Sequence, residues 1–244
     1  MALYHTHRPQ QFSDLIGQDH IRTTLLNALS SGRVGHAYLF SGPRGLGKTT
    51  TARLLAKAVN CQRSEIRNPT SETRPPKHDL RNPEPCNICS TCIAITKGTA
   101  LDVLEIDAAS NRGIDEIREL REHIKFPPSV CAKKVIIIDE VHMLTKEAFN
   151  ALLKTLEEPP PHCMFILATT EPHKVPATIL SRVQRFNFIR ATEAMLADHI
   201  SAVATAENKK IDAGSAALLA SLAEGSFRDG VMLFDQVSTG VSSV

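Results

Sequence analysis

The residues best suited to chemistry form one short glycine-rich segment. Positions 42–49 read Gly-Pro-Arg-Gly-Leu-Gly-Lys-Thr, which matches the phosphate-binding pattern G-x-x-x-x-G-K-[ST]. Glycines allow backbone N–H groups to turn inward around an anion, Lys48 can reach the β- and γ-phosphates of a nucleotide, and the Thr49 hydroxyl can bind Mg²⁺. A chance glycine-rich turn is the alternative, which the apolar run before the segment and the helical pattern after it disfavour. We predict a nucleotide-binding site at Gly42, Pro43, Arg44, Gly45, Leu46, Gly47, Lys48, Thr49 and Thr50.

Two carboxylates follow an apolar run later in the chain. The run covers residues 135–138, and Asp139 and Glu140 come directly after it. In parallel α/β sheets, ligands bind at the carboxyl ends of the strands. We expect Asp139 to complete the Mg²⁺ ligand set and Glu140 to position and polarise an attacking water. The alternative is that the two residues are solvated charges, which often end strands. Together with the phosphate-binding pattern, however, the pair favours hydrolysis of a nucleotide over phosphoryl transfer to a small-molecule acceptor.

Two hydroxyls end another apolar run. Thr169 and Thr170 follow residues 163–168. A hydroxyl at this position could contact the γ-phosphate or the attacking water. Ordinary capping of a strand end explains the same residues equally well.

Four of the six cysteines form a metal-ligand pattern, C-x24-C-x2-C-x2-C. They predict a tetrahedral Zn²⁺ site, which would be structural because four thiolates leave no open position for a reactant. Free or oxidised thiols and an iron–sulfur cluster are the alternatives. The C-x3-C-P continuation of one common cluster pattern is absent. The predicted zinc module covers about residues 61–92, with the ligands Cys61, Cys86, Cys89 and Cys92, whereas Cys163 is expected to be a buried small hydrophobe.

The arrangement of apolar runs indicates an α/β fold. Four runs, at residues 37–40, 101–106, 135–138 and 163–168, alternate with helical patterns. Continuous apolar strands between helices are typical of a parallel sheet covered on both faces. From about residue 190 the pattern is helical only, with Leu196, Ile200 and Val203 on one helical face and Phe227, Val231, Phe234 and Val237 on one face of a later helix. This pattern predicts a small helical domain with its boundary near residue 180. Residues 62–85 contain five Pro and two aliphatic residues, so we expect a mobile surface loop there.

Composition excludes several classes of protein. The chain has 244 residues, of which 42% are hydrophobic and 22% are charged, an ordinary balance for a globular protein. It shows neither a membrane-spanning run nor a signal peptide, so a cytoplasmic protein is expected. The net charge of +2 and the absence of Trp give no sign of nucleic-acid binding by electrostatics or base stacking alone.

The sequence resembles the AAA+ ATPases, and within them the bacterial replicative clamp-loader gamma/tau subunits. The resemblance extends over nearly the whole chain. Residues 8–18 are similar to the adenine-contacting box of that family, and the Cys₄ insertion after the phosphate-binding helix separates it from other clamp-loader ATPases. The remaining similar segments are residues 36–42, 106–111, 139–144 and 153–160.

The resemblance implies a domain organisation. Residues 1–180 would form an AAA+ P-loop parallel sheet with helices on both faces and an inserted zinc module. Residues 181–244 would form a small all-helical lid. The third, collar domain of the family is expected to be absent from this chain, which would make the chain largely monomeric and a poor ATPase by itself.

It also implies roles for three further residues. Thr170 matches the sensor-1 position. Arg182, within residues 178–182, matches the arginine finger that acts on ATP held by a neighbouring subunit. Arg228, within residues 225–229, matches the sensor-2 arginine, which reaches the γ-phosphate of the subunit's own ATP. For both arginines an ordinary surface ion pair is the alternative. Val183 stands where the family often has Cys, a difference that leaves the guanidinium of Arg182 intact.

The function implied is that of an ATP-hydrolysing motor subunit, which opens a ring-shaped sliding clamp and loads it on primed DNA. Its cofactors would be ATP, Mg²⁺ and Zn²⁺. Its partners would be the other clamp-loader subunits of a hetero-oligomeric ring, the sliding clamp, and primer-template DNA contacted through its backbone. The family is part of the DNA polymerase III holoenzyme but does not itself polymerise. The alternatives are another AAA+ remodeller, such as a branch-migration motor or an initiator, a P-loop kinase, and a non-hydrolysing scaffold.

Overall fold

A five-stranded parallel sheet forms the centre of the molecule. The computed structural model describes residues 2–62 and 83–238. Within them the strands lie in the order β2-β3-β4-β1-β5, and every neighbouring pair is parallel. This arrangement confirms the predicted α/β class. The strands are β1 (Ala37–Ser41), β2 (Val103–Asp107), β3 (Lys134–Asp139), β4 (Cys163–Thr169) and β5 (Gln184–Asn187).

Helices connect these strands and continue after the last of them. Three one-turn 3-10 helices cover Phe12–Asp14, Val141–Met143 and Pro172–Lys174. The α-helices are α1 (Leu3–Thr6), α2 (Asp19–Ser30), α3 (Lys48–Asn60), α4 (Ser90–Lys97), α5 (Ile114–Lys125), α6 (Lys146–Glu157), α7 (Ala177–Leu180), α8 (Glu193–Ala206), α9 (Ala213–Leu222) and α10 (Phe227–Ser238).

Each face of the sheet has its own hydrophobic core. Successive side chains of a strand point to opposite faces. Ile137 accordingly packs with α2 and α3, while Ile136 and Ile138 pack with α5 and α6 on the other side. Helices therefore cover both faces, as predicted. Cys163 is 2% exposed within the second core, which confirms its interpretation as a small buried hydrophobe.

Helices α8, α9 and α10 share a third core, to which α1 also contributes. The predicted apolar positions of α8 are buried, and Val231 and Phe234 of α10 are buried beside them. Val237 is different, because it is 41% exposed. Its assignment to the packed face was wrong, because the buried residue of the last turn is Ser238, four positions after Phe234.

The sheet continues beyond residue 180, because β5 pairs with β1. Sequence analysis did not predict this strand, since only Phe186 of its four residues is even partly buried. The greater part of the predicted mobile loop, residues 63–82, lies outside the described residues. Among the residues that the structure describes, no helix has the length and apolarity needed to cross a membrane.

Candidate nucleotide-binding site

The carboxyl ends of three strands bring the predicted residues together. Ser41 at the end of β1 is in register with Thr169 at the end of β4, and β3 ends at Asp139 beside them. The Gly42 N–H donates to the Thr169 carbonyl at 3.2 Å, so the glycine-rich segment starts from the middle of this edge. In parallel sheets this edge, outside the carboxyl ends of the strands, is where ligands bind.

The glycine-rich segment turns from β1 into α3 through backbone conformations that favour glycine. Gly45 and Gly47 have φ values of 78° and 89°. A Cβ at Gly45 would also clash with the hydroxyl of Ser226, which precedes α10. Glycine at position 45 is therefore required both for the turn and for the close approach of the helical region. The backbone N–H groups of such a turn, at the N-terminus of a helix, suit an anion.

The ammonium group of Lys48 is held inside the loop. Its Nζ donates to the carbonyls of Gly42 and Pro43, each at 2.7 Å, and the residue is only 6% exposed. Burial lowers the pKa of Lys48, while the carboxylates of Glu140 and Asp139 act in the opposite direction. The loop therefore presents a positive charge at a fixed position among its backbone N–H groups.

Next to the Lys48 ammonium group, a hydroxyl forms a hydrogen bond with a carboxylate. Thr49 in the first turn of α3 donates through Oγ1 to Oδ2 of Asp139 at 2.6 Å. Oδ1 of Asp139 accepts the N–H of Glu140 at 2.9 Å. Hydroxyl and carboxylate oxygens are ligands that Mg²⁺ prefers. The contact thus places two suitable ligands next to the phosphate-binding loop.

Glu140 is held by the end of β4. Its backbone has the left-handed φ of 47°, an uncommon conformation for a residue other than glycine. Its Oε2 accepts the Thr170 hydroxyl at 3.0 Å and the Thr170 N–H at 3.3 Å. The structure therefore brings Thr170 to Glu140, whereas the sequence suggested contact with a phosphate, with water or with the strand end alone.

Sequence analysis missed His142. Its Nδ1 is 2.9 Å from the Thr169 hydroxyl, its Nε2 is 3.1 Å from Oε2 of Glu171, and its side chain is only 6% exposed. The signal available in the sequence was its place two residues after the carboxylate pair. His142 ties the strand ends β3 and β4 together behind Glu140.

A cavity of about 760 Å³ is lined by Lys48, Thr49, Asp139 and Glu140, whereas Thr170 and His142 are not among its lining residues in the described part of the chain. Its size is typical of a site for a small-molecule ligand. One wall is the N-terminal segment (residues 8–18), and the opposite wall includes Arg228 of α10. The Arg228 guanidinium lies 5.3 Å from the centre of the Tyr4 ring, a cation–π distance. The cavity therefore combines the glycine-rich loop, Lys48 and two carboxylates with apolar and aromatic walls.

Arg182 lies away from this cavity. It is not among the cavity-lining residues of the described chain, and its guanidinium contacts Oε1 of Glu157 at 2.6 Å and the Thr178 carbonyl at 2.7 Å. Its side chain is 34% exposed. Within a single chain the structure does not bring Arg182 together with the other predicted site residues.

The four predicted ligand cysteines form one cluster, here called the Cys cluster (Cys61, Cys86, Cys89 and Cys92). All four Sγ atoms lie within 4.8 Å of one another. The N–H groups of three members donate to Sγ atoms of the cluster, each at 3.4 Å.

Two thiols of the Cys cluster are held in their neutral form. Hydrogen bonding to a neighbouring thiol and burial raise the pKa of Cys92, and burial raises that of Cys86. A cation at the centre would reverse this effect, because it stabilises thiolates. The donor set is compatible with zinc.

A family model described as "DNA polymerase III, delta subunit" matches residues 17–192. The chain belongs to this DNA polymerase III subunit family. The matched range includes the glycine-rich segment, the carboxylate pair and the Cys cluster, and it ends at the start of the helical region.

Curated relatives place the chain more narrowly within the DNA polymerase III family. It is 53% identical over 235 residues to subunit tau of Bacillus subtilis, a match that covers 96% of this chain and 39% of that protein. It is 44% identical over 229 residues to subunit tau of Escherichia coli, covering 94% of this chain and 33% of that protein. The chain thus spans between a third and two fifths of the length of these two relatives.

Solved structures share the fold of this DNA polymerase III family member. RuvB of Thermotoga maritima, described as a Holliday junction branch migration motor, superposes with a TM-score of 0.65 at 20% identity and covers 98% of this chain and 66% of its own. A gamma-subunit-related protein of the same organism gives a TM-score of 0.52 at 23% identity, with coverage of 86% and 57%. The fold is therefore the P-loop AAA+ fold.

Proposed function

We propose that this chain is the ATP-binding and hydrolysing part of a clamp-loader motor subunit, which opens a sliding clamp and loads it on primed DNA. The observation that supports this most is the 2.6 Å contact between Thr49 and Asp139 beside the buried ammonium of Lys48. The sequence similarity to tau subunits over nearly the whole chain supports the choice of clamp loader.

In this proposal the glycine-rich loop binds the triphosphate. Its N–H groups and Lys48 contact the β- and γ-phosphate oxygens, and Thr49 and Asp139 hold Mg²⁺. The ion, when bound, neutralises the phosphate charge and polarises the γ-phosphoryl group. Lys48 would then exchange its contacts with the loop carbonyls for phosphate oxygens, at little cost because its position barely changes.

Glu140 is the proposed general base. Its carboxylate orients a water for in-line attack on the γ-phosphate and accepts a proton from it. The two hydrogen bonds from Thr170 restrict the carboxylate to one orientation, so we assign Thr170 as the residue that positions the base. Arg228 is the residue proposed to contact the γ-phosphate of the chain's own ATP, and its place in the cavity lining supports this role.

Arg182 is the proposed finger for ATP on a neighbouring subunit. Its exposure and its distance from the chain's own cavity support a role at a subunit contact. Planar, charge-assisted contacts from arginine suit phosphate oxygens. A finger supplied by a neighbour raises turnover by roughly 10³–10⁵-fold.

The domain division is also a proposal. Residues 1–180 would form the ATPase domain and 181–244 the helical lid, and the separate core of α8–α10 supports an independent helical unit. β5 lies on the lid side of that position and yet pairs with β1, so it would link the two. Closure of the lid over ATP would bring Arg228 toward the phosphates.

The Cys cluster is proposed to hold one structural Zn²⁺. The four sulfur atoms lie within 4.8 Å of one another, so a small contraction of the cluster would allow tetrahedral ligation at Zn–S distances of ~2.3 Å. The clamp, the other loader subunits and the backbone of primer-template DNA are the proposed partners, and the cytoplasm is the proposed location.

Two substitutions test the ATPase assignment. Lys48→Ala removes the cation that holds the phosphates, so binding of a fluorescent ATP analogue should fall by roughly 10–100-fold, which corresponds to the ~1.5–3 kcal/mol of a charged hydrogen bond. Glu140→Gln should bind the analogue normally and lose turnover in the assembled complex. Normal turnover by the Glu140→Gln complex would contradict the assignment of the base.

A further inference from the structure

A second buried lysine lies on α3, in a place that the proposed ATPase chemistry does not use. Lys57 is only 2% exposed. Its Nζ donates to Oε1 of Gln10 at 2.7 Å and to Oδ1 of Asn87 at 2.9 Å. An ammonium group is costly to bury unless it is hydrogen-bonded. These two amides are thus held at fixed positions by one charge.

The two amides belong to distant parts of the chain. Asn87 lies between two members of the Cys cluster, has a left-handed φ of 59°, and donates through Nδ2 to the carbonyl of Gln10 at 3.0 Å. Nearby, the carboxylate of Glu84 accepts the N–H groups of Phe12 and Ser13 at 2.7 and 3.0 Å. The residues around the Cys cluster therefore hold the N-terminal segment through its backbone.

The N-terminal segment held in this way is a wall of the nucleotide cavity. Arg8, Pro9, Leu15 and Ile16 all line it. The amide nitrogen of Gln10 donates to the Arg8 carbonyl at 2.9 Å. Lys57 and Asn87 therefore influence the position of this wall through Gln10. We call Lys57, Gln10 and Asn87 the junction.

We propose that the junction positions the N-terminal segment for nucleotide binding, so that the segment around the Cys cluster sets the affinity for the nucleoside part of the ligand. Lys57 and Asn87 are positioning residues in this account, because they act through Gln10 and do not contact the cavity. The inference rests on the proposed nucleotide site. The inference assigns a role to the segment that carries the Cys cluster, which is to hold the N-terminal wall of that site in position.

The alternative is that the junction only stabilises the fold. A stabilising role would lower the thermal midpoint of a variant and leave the affinity of the folded fraction unchanged. A positioning role predicts a selective effect instead. The nucleoside contacts the N-terminal wall, whereas inorganic triphosphate binds in the glycine-rich loop alone.

Variants on two sides of the junction test the proposal in the full-length protein. Lys57→Met keeps the apolar stem and removes the ammonium. Asn87→Gly removes the amide, and glycine tolerates the left-handed backbone. Lys146→Met, at an exposed position on α6, is the matched control. Binding of a fluorescent ATP analogue is measured by anisotropy, with inorganic triphosphate as a competitor, and the thermal midpoint is recorded without ligand.

We expect both junction variants to weaken binding of the analogue by about tenfold, which corresponds to about 1.4 kcal/mol. The affinity for inorganic triphosphate should change less than twofold, and the control should match the wild type for both ligands.

Equal weakening for both ligands, or unchanged affinity in folded variants, would overturn the proposal. If Lys57→Met fails to fold, Asn87→Gly alone decides between these outcomes. A wild-type protein that binds triphosphate and analogue equally would overturn the inference, whereas one that binds neither would overturn the proposed function itself.

Discussion

At the scale of single residues, Thr170 controls the orientation of Glu140. Its hydroxyl and its N–H both donate to the same carboxylate oxygen. Replacing Thr170 by Val preserves the shape and the N–H but removes the hydroxyl. The carboxylate would then keep only the longer contact with the Thr170 N–H at 3.3 Å, which leaves it less restricted in orientation.

We therefore expect Thr170→Val to lower ATP turnover of the assembled complex by about 10–100-fold, because small misplacements of catalytic groups cost rates of that order. Binding of the ATP analogue should be unchanged. Thr170→Ser, which retains the hydroxyl, is the control and should recover most of the turnover. Wild-type turnover in Thr170→Val would show that Glu140 needs no such restraint.

The sequence was sufficient to predict residues whose chemistry shows in a local pattern. Lys48 and Thr49 follow from one eight-residue motif, and the Asp139–Glu140 pair from the end of one apolar run. Their direct contact was not predictable in detail, since Thr49 and Asp139 are 90 positions apart. The only local signal for His142 was its place after the carboxylate pair, and Lys57 had none, because the partners of both residues come from other strands and loops.

At the scale of elements, one buried carboxylate organises the edge of the sheet beside β2. Asp102 is 2% exposed and accepts the N–H groups of Ser129, Val130 and Cys131 at 2.8–2.9 Å. Burial acts to raise the pKa of Asp102, but the three N–H donors outweigh it, so the pKa is below its usual value. The ionised form is therefore the one that stabilises the fold.

We expect Asp102→Asn to lower the free energy of unfolding at pH 7 by about 1–3 kcal/mol, because an amide oxygen cannot satisfy three buried donors. The stabilisation by Asp102 is complete above the unfolded-state pKa of ~3.9 and is lost as the pH falls through the lower folded-state pKa. The difference from wild type should accordingly shrink below about pH 4. Urea denaturation across this range measures it.

Asp115→Asn, at an exposed position on α5, is the matched control and should change stability by less than ~0.5 kcal/mol. A loss in Asp102→Asn that does not depend on pH would show that the carboxylate charge is not the cause.

The elements that sequence analysis found are those with continuous apolar runs. β1, β3 and β4 were predicted because nearly all of their residues are buried on both faces. β2 is only partly buried and was predicted from its Leu, Val and Ile residues. β5 lies at the edge of the sheet, where Arg185 and the polar residues around it face solvent, so it lacks such a run. Val237 shows a second limit, since its spacing put it only at the edge of the apolar face, and Ser238 takes the buried position instead.

At the scale of the whole molecule, the helical region and the Cys cluster were each predictable, but their contacts with the nucleotide cavity were not. Glu84 contacts Phe12 across 72 positions and Asn87 contacts Gln10 across 77. Nothing in composition or spacing encodes such pairs. Tyr4 facing Arg228 is a further example, since α1 packs on the helical core at the far end of the chain.

Arg182 gives a prediction that concerns neighbouring subunits. In a reconstituted complex, Arg182→Ala should retain ATP binding by the same chain and lower turnover by about 10³-fold, the lower end of the range for fingers supplied in trans. Glu157→Gln is the control, because it removes the ion pair of Arg182 and leaves the guanidinium. Its turnover should stay within twofold of wild type. Equal losses in both variants would show that the ion pair, and not a finger, explains the effect.

ATP turnover by the full-length protein, assembled with its clamp-loader partners, tests the central claim most directly. It is measured without additions, with sliding clamp, with primed DNA, and with both. A clamp-loader motor is expected to be strongly stimulated only when clamp and primed DNA are both present. Turnover that responds to DNA and is indifferent to the clamp would contradict the account and favour a branch-migration type of motor.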